Sequence, residues 1–390
     1  MQKSLMLTVS AAALAVAAPA AAQVSNSSII DQIGNHNTAV VTQTGEDNDS
    51  IVEQSSNGGT VRVTQKQSGA DLGTRDRLNV RDNDTDLVRA NFSNVVQSGD
   101  GLAEATIDQE GELNRSDTRQ SNASGTASAT VEQSGIFNNS DIGQTAAATA
   151  SVTQGGDYGD NNSLVDQRAD GAMATVRQFG SDTTNGPAFP TNDSLVVQGA
   201  AAEADVTQTG SQNGSIIVQF GDGALAEVSQ TTDPSAIGSG DDLNTSVIQQ
   251  FAQTSAFVQQ IGQGNSSGVR QESANSAPDN GFFYAVEVRQ LGQDGTSFVR
   301  QAGGTGNEAS LRQLSGSSMA FSEISQAGSD NVTKVEQGGI ANRSSVIQTG
   351  DLNTALVGQM GSNNFSSVTQ TGNGNTASVS QGGAVAPTLP

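Results

Sequence analysis

Between Asn331 and Gln381 the chain writes one seven-residue pattern five times at a spacing of eleven, and few folds accept so short a period. The units open at Asn331, Asn342, Asn353, Asn364 and Asn375 and close at Gln337, Gln348, Gln359, Gln370 and Gln381. Each reads Asn-x-small-x-Val-x-Gln, with a glycine two residues on at Gly339, Gly350, Gly361, Gly372 and Gly383. Side chains of an extended strand alternate, so the first, third, fifth and seventh positions share a face. In the third copy that face carries Asn353, Ala355, Val357 and Gln359. Eleven residues also fill three helical turns, the period of a right-handed coiled coil. Composition argues against the helix, because every unit carries glycine and the rest is rich in Asn, Ser, Thr and Val, all poor helix formers. The Gln-x-Gly-x-x-Asn junction reads as a tight turn, with Gly supplying backbone angles closed to other residues and Asn tolerating them. Strand and turn alternating at this period predict a β-solenoid.

The pattern covers most of the chain. It starts with Asn26 to Gln32, Asn37 to Gln43 and Asn48 to Gln54, and a fourth unit opens on Gly59 and closes at Gln65. Residues 66–90 break it with a charged stretch that includes Arg75, Asp76, Arg77, Arg81, Asp82, Asp84, Asp86 and Arg89, read as one or two degenerate units or a surface loop. Over 91–330 two kinds of unit tend to alternate. One opens on Asn, as at Asn91, Asn114, Asn138, Asn161, Asn192, Asn213, Asn244 and Asn265. The other reads Ala-x-Ala-x-Val-x-Gln, as in Ala127 to Gln133, Ala148 to Gln154, Ala172 to Gln178, Ala202 to Gln208 and Ala224 to Gln230. The alternation predicts a 22-residue coil of two strands. The most regular units occupy 331–383, and a tail of 384–390 with Pro387 and Pro390 follows. Enlarged turns lie between Gln178 and Gln198, Gln230 and Gln250, and Gln271 and Gln290, between strands, where a solenoid tolerates insertion. The closing glutamines predict about 28 strands, hence about 14 coils and a rod about 67 Å long.

The small residues explain why an ordinary core is not expected. Of 390 residues 45 are Gly, 4% are aromatic, and Cys and Trp are absent, whereas normal interiors need large Leu, Ile and Phe side chains. Stacked strands can be held by backbone bonds and ladders of identical side chains. In the last five units the second position varies through Val332, Arg343, Thr354, Phe365 and Thr376, while the first, fifth and seventh do not vary. The invariant face is therefore the buried one. Its amides must pair with one another, because a buried amide without a partner is costly. The predicted ladder comprises Gln32, Asn37, Gln43, Asn48 and Gln54 near the start and Asn331 to Gln381 near the end.

Residues 1–22 have a lone Lys3, an apolar run from Leu5 to Ala18 and the triplet Ala20-Ala21-Ala22, the layout of a secretory signal peptide. No later stretch approaches the roughly 20 apolar residues of a membrane span. Loss of Lys3 leaves 16 of the 17 Lys and Arg against 40 Asp and Glu, so the net charge moves from −23 to −24. Such a surface repels nucleic acid and anionic lipid. Regular repeats from 23–65 and 331–383 sit near both ends, where unprotected strand edges template further pairing. Interior acids and prolines then read as gatekeepers against premature aggregation.

The run Gln32-Ile33-Gly34-Asn35-His36-Asn37-Thr38-Ala39-Val40-Val41-Thr42-Gln43 resembles the curlin repeat, Gln-x-Gly-x-x-Asn-x-Ala-x-x-x-Gln, of bacterial curli fibre subunits. The resemblance recurs over nearly the whole chain after residue 23. It implies an all-β solenoid of two strands per 22-residue coil that polymerises outside the cell into functional amyloid supporting biofilm and adhesion. It also implies self-association, a nucleating subunit and an outer-membrane export pore as partners. The chain departs from the pattern in having many more than five coils, in opening its alternate strands with Ala where Ser is usual, and in starting a unit at Asn26 with little room for a pore-addressing segment.

Catalytic chemistry has little to stand on. His36 is the one histidine, it lies in a turn, and no Cys exists to complete a nucleophile or transition-metal site. Gly264-Asn265-Ser266-Ser267-Gly268 matches G-x-S-x-G, but the motif needs a strand-to-helix elbow and here straddles a strand start. Asp82-Asn83-Asp84-Thr85-Asp86 resembles the opening of a calcium loop, yet Leu87 stands where Gly is required and Ser93 where the bidentate Glu belongs. Lys66 and Lys334 follow no glycine-rich phosphate loop. No enzyme activity, cofactor or metal is expected. A self-assembling structural subunit is the first reading. The alternative is a monomeric adhesin or glycan-binding rod whose enlarged turns form the site, with Phe189, Phe282, Phe283 and Tyr284 as contacts.

Overall fold

Alternation of small or branched residues with polar ones puts one face of every strand inward, and glycine-containing turns reverse the chain after each seventh residue. The result, in the computed structural model, is a stack of flat coils. The structure describes residues 26–45, 48–67, 91–122, 124–156, 161–180, 192–210, 212–232, 243–272 and 284–382. The expected signal peptide, the charged segment beyond Gln67, the middle of each enlarged turn and the tail lie outside the described residues.

Twenty-eight strands run from β1 (Ser27–Gln32) and β2 (Thr38–Thr44) to β27 (Phe365–Thr371) and β28 (Thr376–Gln381), with no helix among the described residues. Odd-numbered strands form one 14-stranded sheet and even-numbered strands another, each in sequence order. A coil is thus one odd and one even strand, and the fold is the all-β solenoid with two strands per coil. Pairing is parallel and in register, so Asn353, Ala355, Val357 and Gln359 stand over like positions of their neighbours, as in Val335 with Val357 and Gln337 with Gln359. β3 (Asp49–Gln54) pairs directly with β5 (Asn91–Ser98) across the charged segment. Residues 68–90, read from the sequence as degenerate units or a surface loop, lie outside the described residues.

Between the sheets lies one continuous layer of Val, Ile, Leu and Ala, from Val52 and Val63 to Val357 and Val368. Each such Val contributes about 1.5–3 kcal/mol by burial. The inward third position is serine in every odd strand, from Ser28 to Ser366, and mostly alanine in the even ones. The hydroxyls of that column from Ser50 to Ser366 are buried, with no hydrogen-bond partner among the described residues.

The turns differ from expectation in one respect. Glycines such as Gly34, Gly339 and Gly350 take positive φ, but the second left-handed residue is the one before the ladder Asn: His36 (60°), Leu113 (57°), Leu352 (59°) and others. The Asn itself is extended. Its Nδ2 then reaches back to the carbonyl four residues earlier, as from Asn37 to Ile33 (3.1 Å) and Asn114 to Glu110 (3.3 Å). Adjacent turns pack backbone on backbone. A Cβ at Gly339 would lie 2.0 Å from the Gly361 carbonyl oxygen, which is why glycine recurs there.

Candidate functional site

The feature with most capacity to act is the inner amide ladder together with the coils at which it ends. All closing glutamines stack. In the odd sheet each Nε2 donates to the Oε1 of the next coil without interruption from Gln32 to Gln370. The even sheet does the same from Gln43 to Gln381, at 2.7–3.4 Å. The second Nε2 hydrogen goes to a backbone carbonyl of the facing sheet, as from Gln54 to Thr38 and Gln359 to Arg343. Those carbonyls fix which end of each amide is nitrogen.

Asparagine ladders point the other way. Nδ2 of Asn48 donates back to Asn26, of Asn91 to Asn48, of Asn353 to Asn331 and of Asn375 to Asn353. The accepting Oδ1 also takes the backbone N–H of the next Asn, as at Asn48 to Asn26 (3.0 Å) and Asn364 to Asn342 (3.0 Å). Parallel pairing leaves that N–H without a strand partner, so the side chain completes the backbone ladder. In the odd sheet the Asn column runs from Asn26 to Asn265, is replaced by Gly295 and Ala320, and resumes at Asn342. The even sheet takes it up at Asn307.

The predicted ladder residues divide by position. Asn48, Gln54, Asn331, Gln337, Asn342, Gln348, Asn353 and Gln359 are buried. Gln32, Asn37 and Gln43 in the first coil, and Asn364 and Gln381 in the last, are half-buried, Asn375 is exposed, and Gln370 is 6% exposed. The terminal coils thus carry the same inward set without a coil to cover it. Their amides end in complementary senses. The first coil turns the Oε1 atoms of Gln32 and Gln43 and the Nδ2 groups of Asn26 and Asn37 outward. The last coil turns outward the Nε2 groups of Gln370 and Gln381 and the Oδ1 atoms of Asn364 and Asn375, which accept from no described residue.

Elsewhere the surface offers little chemistry. Of the aromatics suggested for a binding rod, Phe189, Phe282 and Phe283 lie outside the described residues. Tyr284 stacks on Phe257 at 5.3 Å and its hydroxyl donates to Glu227. Burial, then the Glu227 carboxylate, hold that hydroxyl far above its ordinary pKa, so Tyr284 is engaged within the rod. Burial, with Asp117 nearby, also raises Asp141. Ion pairs such as Arg177–Asp205 (3.2 Å) and Lys66–Glu110 (3.0 Å) are exposed and contribute little. A groove of about 840 Å³ along the turn edge is lined by Thr231, Ile261, Leu291 and neighbouring Gly, Ser, Thr and Gln, with no charged or aromatic lining. His36 is an exposed turn residue, and Ser266 begins strand β19 (Ser266–Gln271), so G-x-S-x-G forms no elbow.

The serine column and the opposed amide directions were not foreseen. The first was readable from Ser at every third position of the odd units. The second had no signal, since an amide carries donor and acceptor alike.

In comparisons with known proteins, the model of the curlin associated repeat matches at residues 25–56, 199–231 and 350–383. No curated protein matches the chain.

Proposed function

Since the chain carries curlin associated repeats, we propose that it is an exported structural subunit whose copies join end to end into a curli-like fibre outside the cell. One observation carries the reading: the two terminal coils match each other. The last coil turns Asn364, Ser366, Val368 and Gln370 inward from one sheet and Asn375, Ala377, Val379 and Gln381 from the other. The first coil has Asn26, Ser28, Ile30 and Gln32 opposite Asn37, Ala39, Val41 and Gln43. Only Val368 against Ile30 differs in kind. Mid-rod coils are less alike, because their even strands open on Ala.

A copy placed on the end of another therefore continues every column. Amide direction makes the joint polar: outward Nε2 groups of Gln370 and Gln381 meet outward Oε1 atoms of Gln32 and Gln43, and Oδ1 of Asn364 and Asn375 meets Nδ2 of Asn26 and Asn37. Two first coils face to face would set acceptor against acceptor. Open strand edges add backbone bonds to the same joint. Growth by strand addition needs no catalytic group, and the acidic surface keeps the chain soluble before it joins. A nucleating subunit and an export pore would act before this step, and biofilm or adhesive roles follow from the fibre.

The test is seeded growth of purified residues 23–390, followed by dye fluorescence and fibre diffraction. A lag removed by seeds and a meridional reflection at about 4.7–4.8 Å are expected. A chain that remains monomeric and β-folded at high concentration would refute the proposal.

A further inference from the structure

Outward positions of the odd sheet are mostly polar, and the longest apolar run crosses four adjacent strands. They are β11 (Asn161–Gln167), β13 (Asn192–Gln198), β15 (Asn213–Gln219) and β17 (Asn244–Gln250). Their fourth positions are Leu164, Leu195, Ile216 and Val247, where the three strands before them have Asn94, Asp117 and Asp141 and the next has Gly268; the position is apolar again only away from this run, at Ile29, Ile51 and Phe298. Val197 and Val218 lie beside them, and Phe220 and Phe251, stacked at 6.1 Å, close the edge. Leu164, Ile216, Phe220 and Phe251 are 38–51% exposed.

We propose that this stripe is a second self-association surface, joining two fibres that run in opposite directions; the proposal rests on the fibre reading above. Its size sets the partner. Four strands by about four residues cover about 250 Å². A pair of rods would bury about 500 Å², against the roughly 1,000 Å² of a specific interface. Single rods therefore do not pair through it. In a fibre the stripe returns once per subunit, and many weak contacts act together.

The flanks set direction. Turn one rod over about an axis along the strands, between β13 and β15, and β13 lies on β15, β11 on β17, and β9 (Asn139–Gln144) on β19. Leu195 then faces Ile216, Leu164 faces Val247, and Val197 faces Val218. Arg168 comes against Phe251, a ring that Arg270 already covers at 5.6 Å within the rod. Arg270 comes over Gly143, beside Asp141. In the parallel arrangement, with the fourth positions again facing each other, strand direction is reversed and Asp141 meets its own copy, which opposes pairing. Antiparallel contact suits fibres grown toward each other from two surfaces.

The experiment attaches residues 23–390 through a C-terminal histidine tag to phosphatidylcholine vesicles containing a nickel-chelating lipid. Rods on facing vesicles overlap antiparallel, and rods on one vesicle do not. Light scattering should report clustering by the wild-type chain and at least tenfold less with Leu195→Thr, Ile216→Thr and Val218→Thr combined. Thr keeps the strand preference. Asp141→Arg should weaken clustering and addition of Arg270→Asp should restore it, a second readout should the triple variant lose its β spectrum. Undiminished clustering by the folded triple variant, or none by wild type, would overturn the surface whatever seeded growth shows. Clustering without seeded growth would keep the surface and overturn the fibre.

Discussion

Gln219 shows what one side chain does here. It is fully buried, donates to Gln250 Oε1 (2.9 Å) and the Glu203 carbonyl (2.9 Å), and accepts from Gln198 (2.9 Å). Gln219→Ala leaves amides unpaired above and below and should cost about 3–5 kcal/mol in urea unfolding. Gln381→Ala, in the last coil, should cost clearly less. Ser215 is the opposite case, a buried hydroxyl without a partner, so Ser215→Ala should raise stability by about 1 kcal/mol. A Ser215→Ala protein that unfolds at lower urea would show that the hydroxyl is bonded after all. The inward set was legible because a period of two sorts every residue to a face. Serine was hidden by classing the third position only as small. Amide direction is decided by carbonyls of the facing sheet, which only the folded coil brings near.

At the scale of strands and turns, the turns hold the strain. Leu352 sits at φ 59° and is exposed, so Leu352→Gly should stabilise the rod by about 1 kcal/mol, read from the unfolding midpoint. Gly350→Ala should cost several times more in the same measurement. Its Cβ would meet the Gly372 carbonyl oxygen at 2.3 Å, at a φ of 107°. Strand positions were plain in the sequence, since each closing Gln marks a strand end. The left-handed residue was not, because His36, Leu113, Gln212 and Ala341 share no side-chain type. Their backbone angle follows from the need to swing the next Asn into the ladder. Ser50 pairs with Ser93 and Gln54 with Gln97, a register legible from the matching units on either side of the charged segment.

For the whole molecule, the account places growth at the ends and lateral contact in the middle. Truncation should separate the parts of the joint. A chain ending at residue 361 still presents Asn342 and Asn353, and should elongate seeds of its own kind at the full-length rate. One ending at residue 339 presents Ala320 with Asn331 and loses an amide pair worth about 1 kcal/mol, so elongation should slow about fivefold. Equal rates would remove the asparagines from the joint. Coil number and the absence of a large-residue core were legible from repeat count and composition. The apolar stripe was not, because outward positions vary along the rod and only stacking brings Leu164, Leu195, Ile216 and Val247 side by side.

The central claim is a polar end-to-end joint in register, and cross-linking tests it most directly. The chain has no cysteine, and a joined copy sets Thr369 of the last coil over Asp31 of the first, as Ile347 lies under Thr369 within the rod. Fibres of the double variant Asp31→Cys with Thr369→Cys, treated with a short thiol-to-thiol reagent, should give a ladder of covalent multimers. Fibres mixed from the two single variants should give dimers only, each pairing one variant with the other. Dimers formed by Asp31→Cys alone, or double-variant fibres that do not cross-link, would contradict the joint.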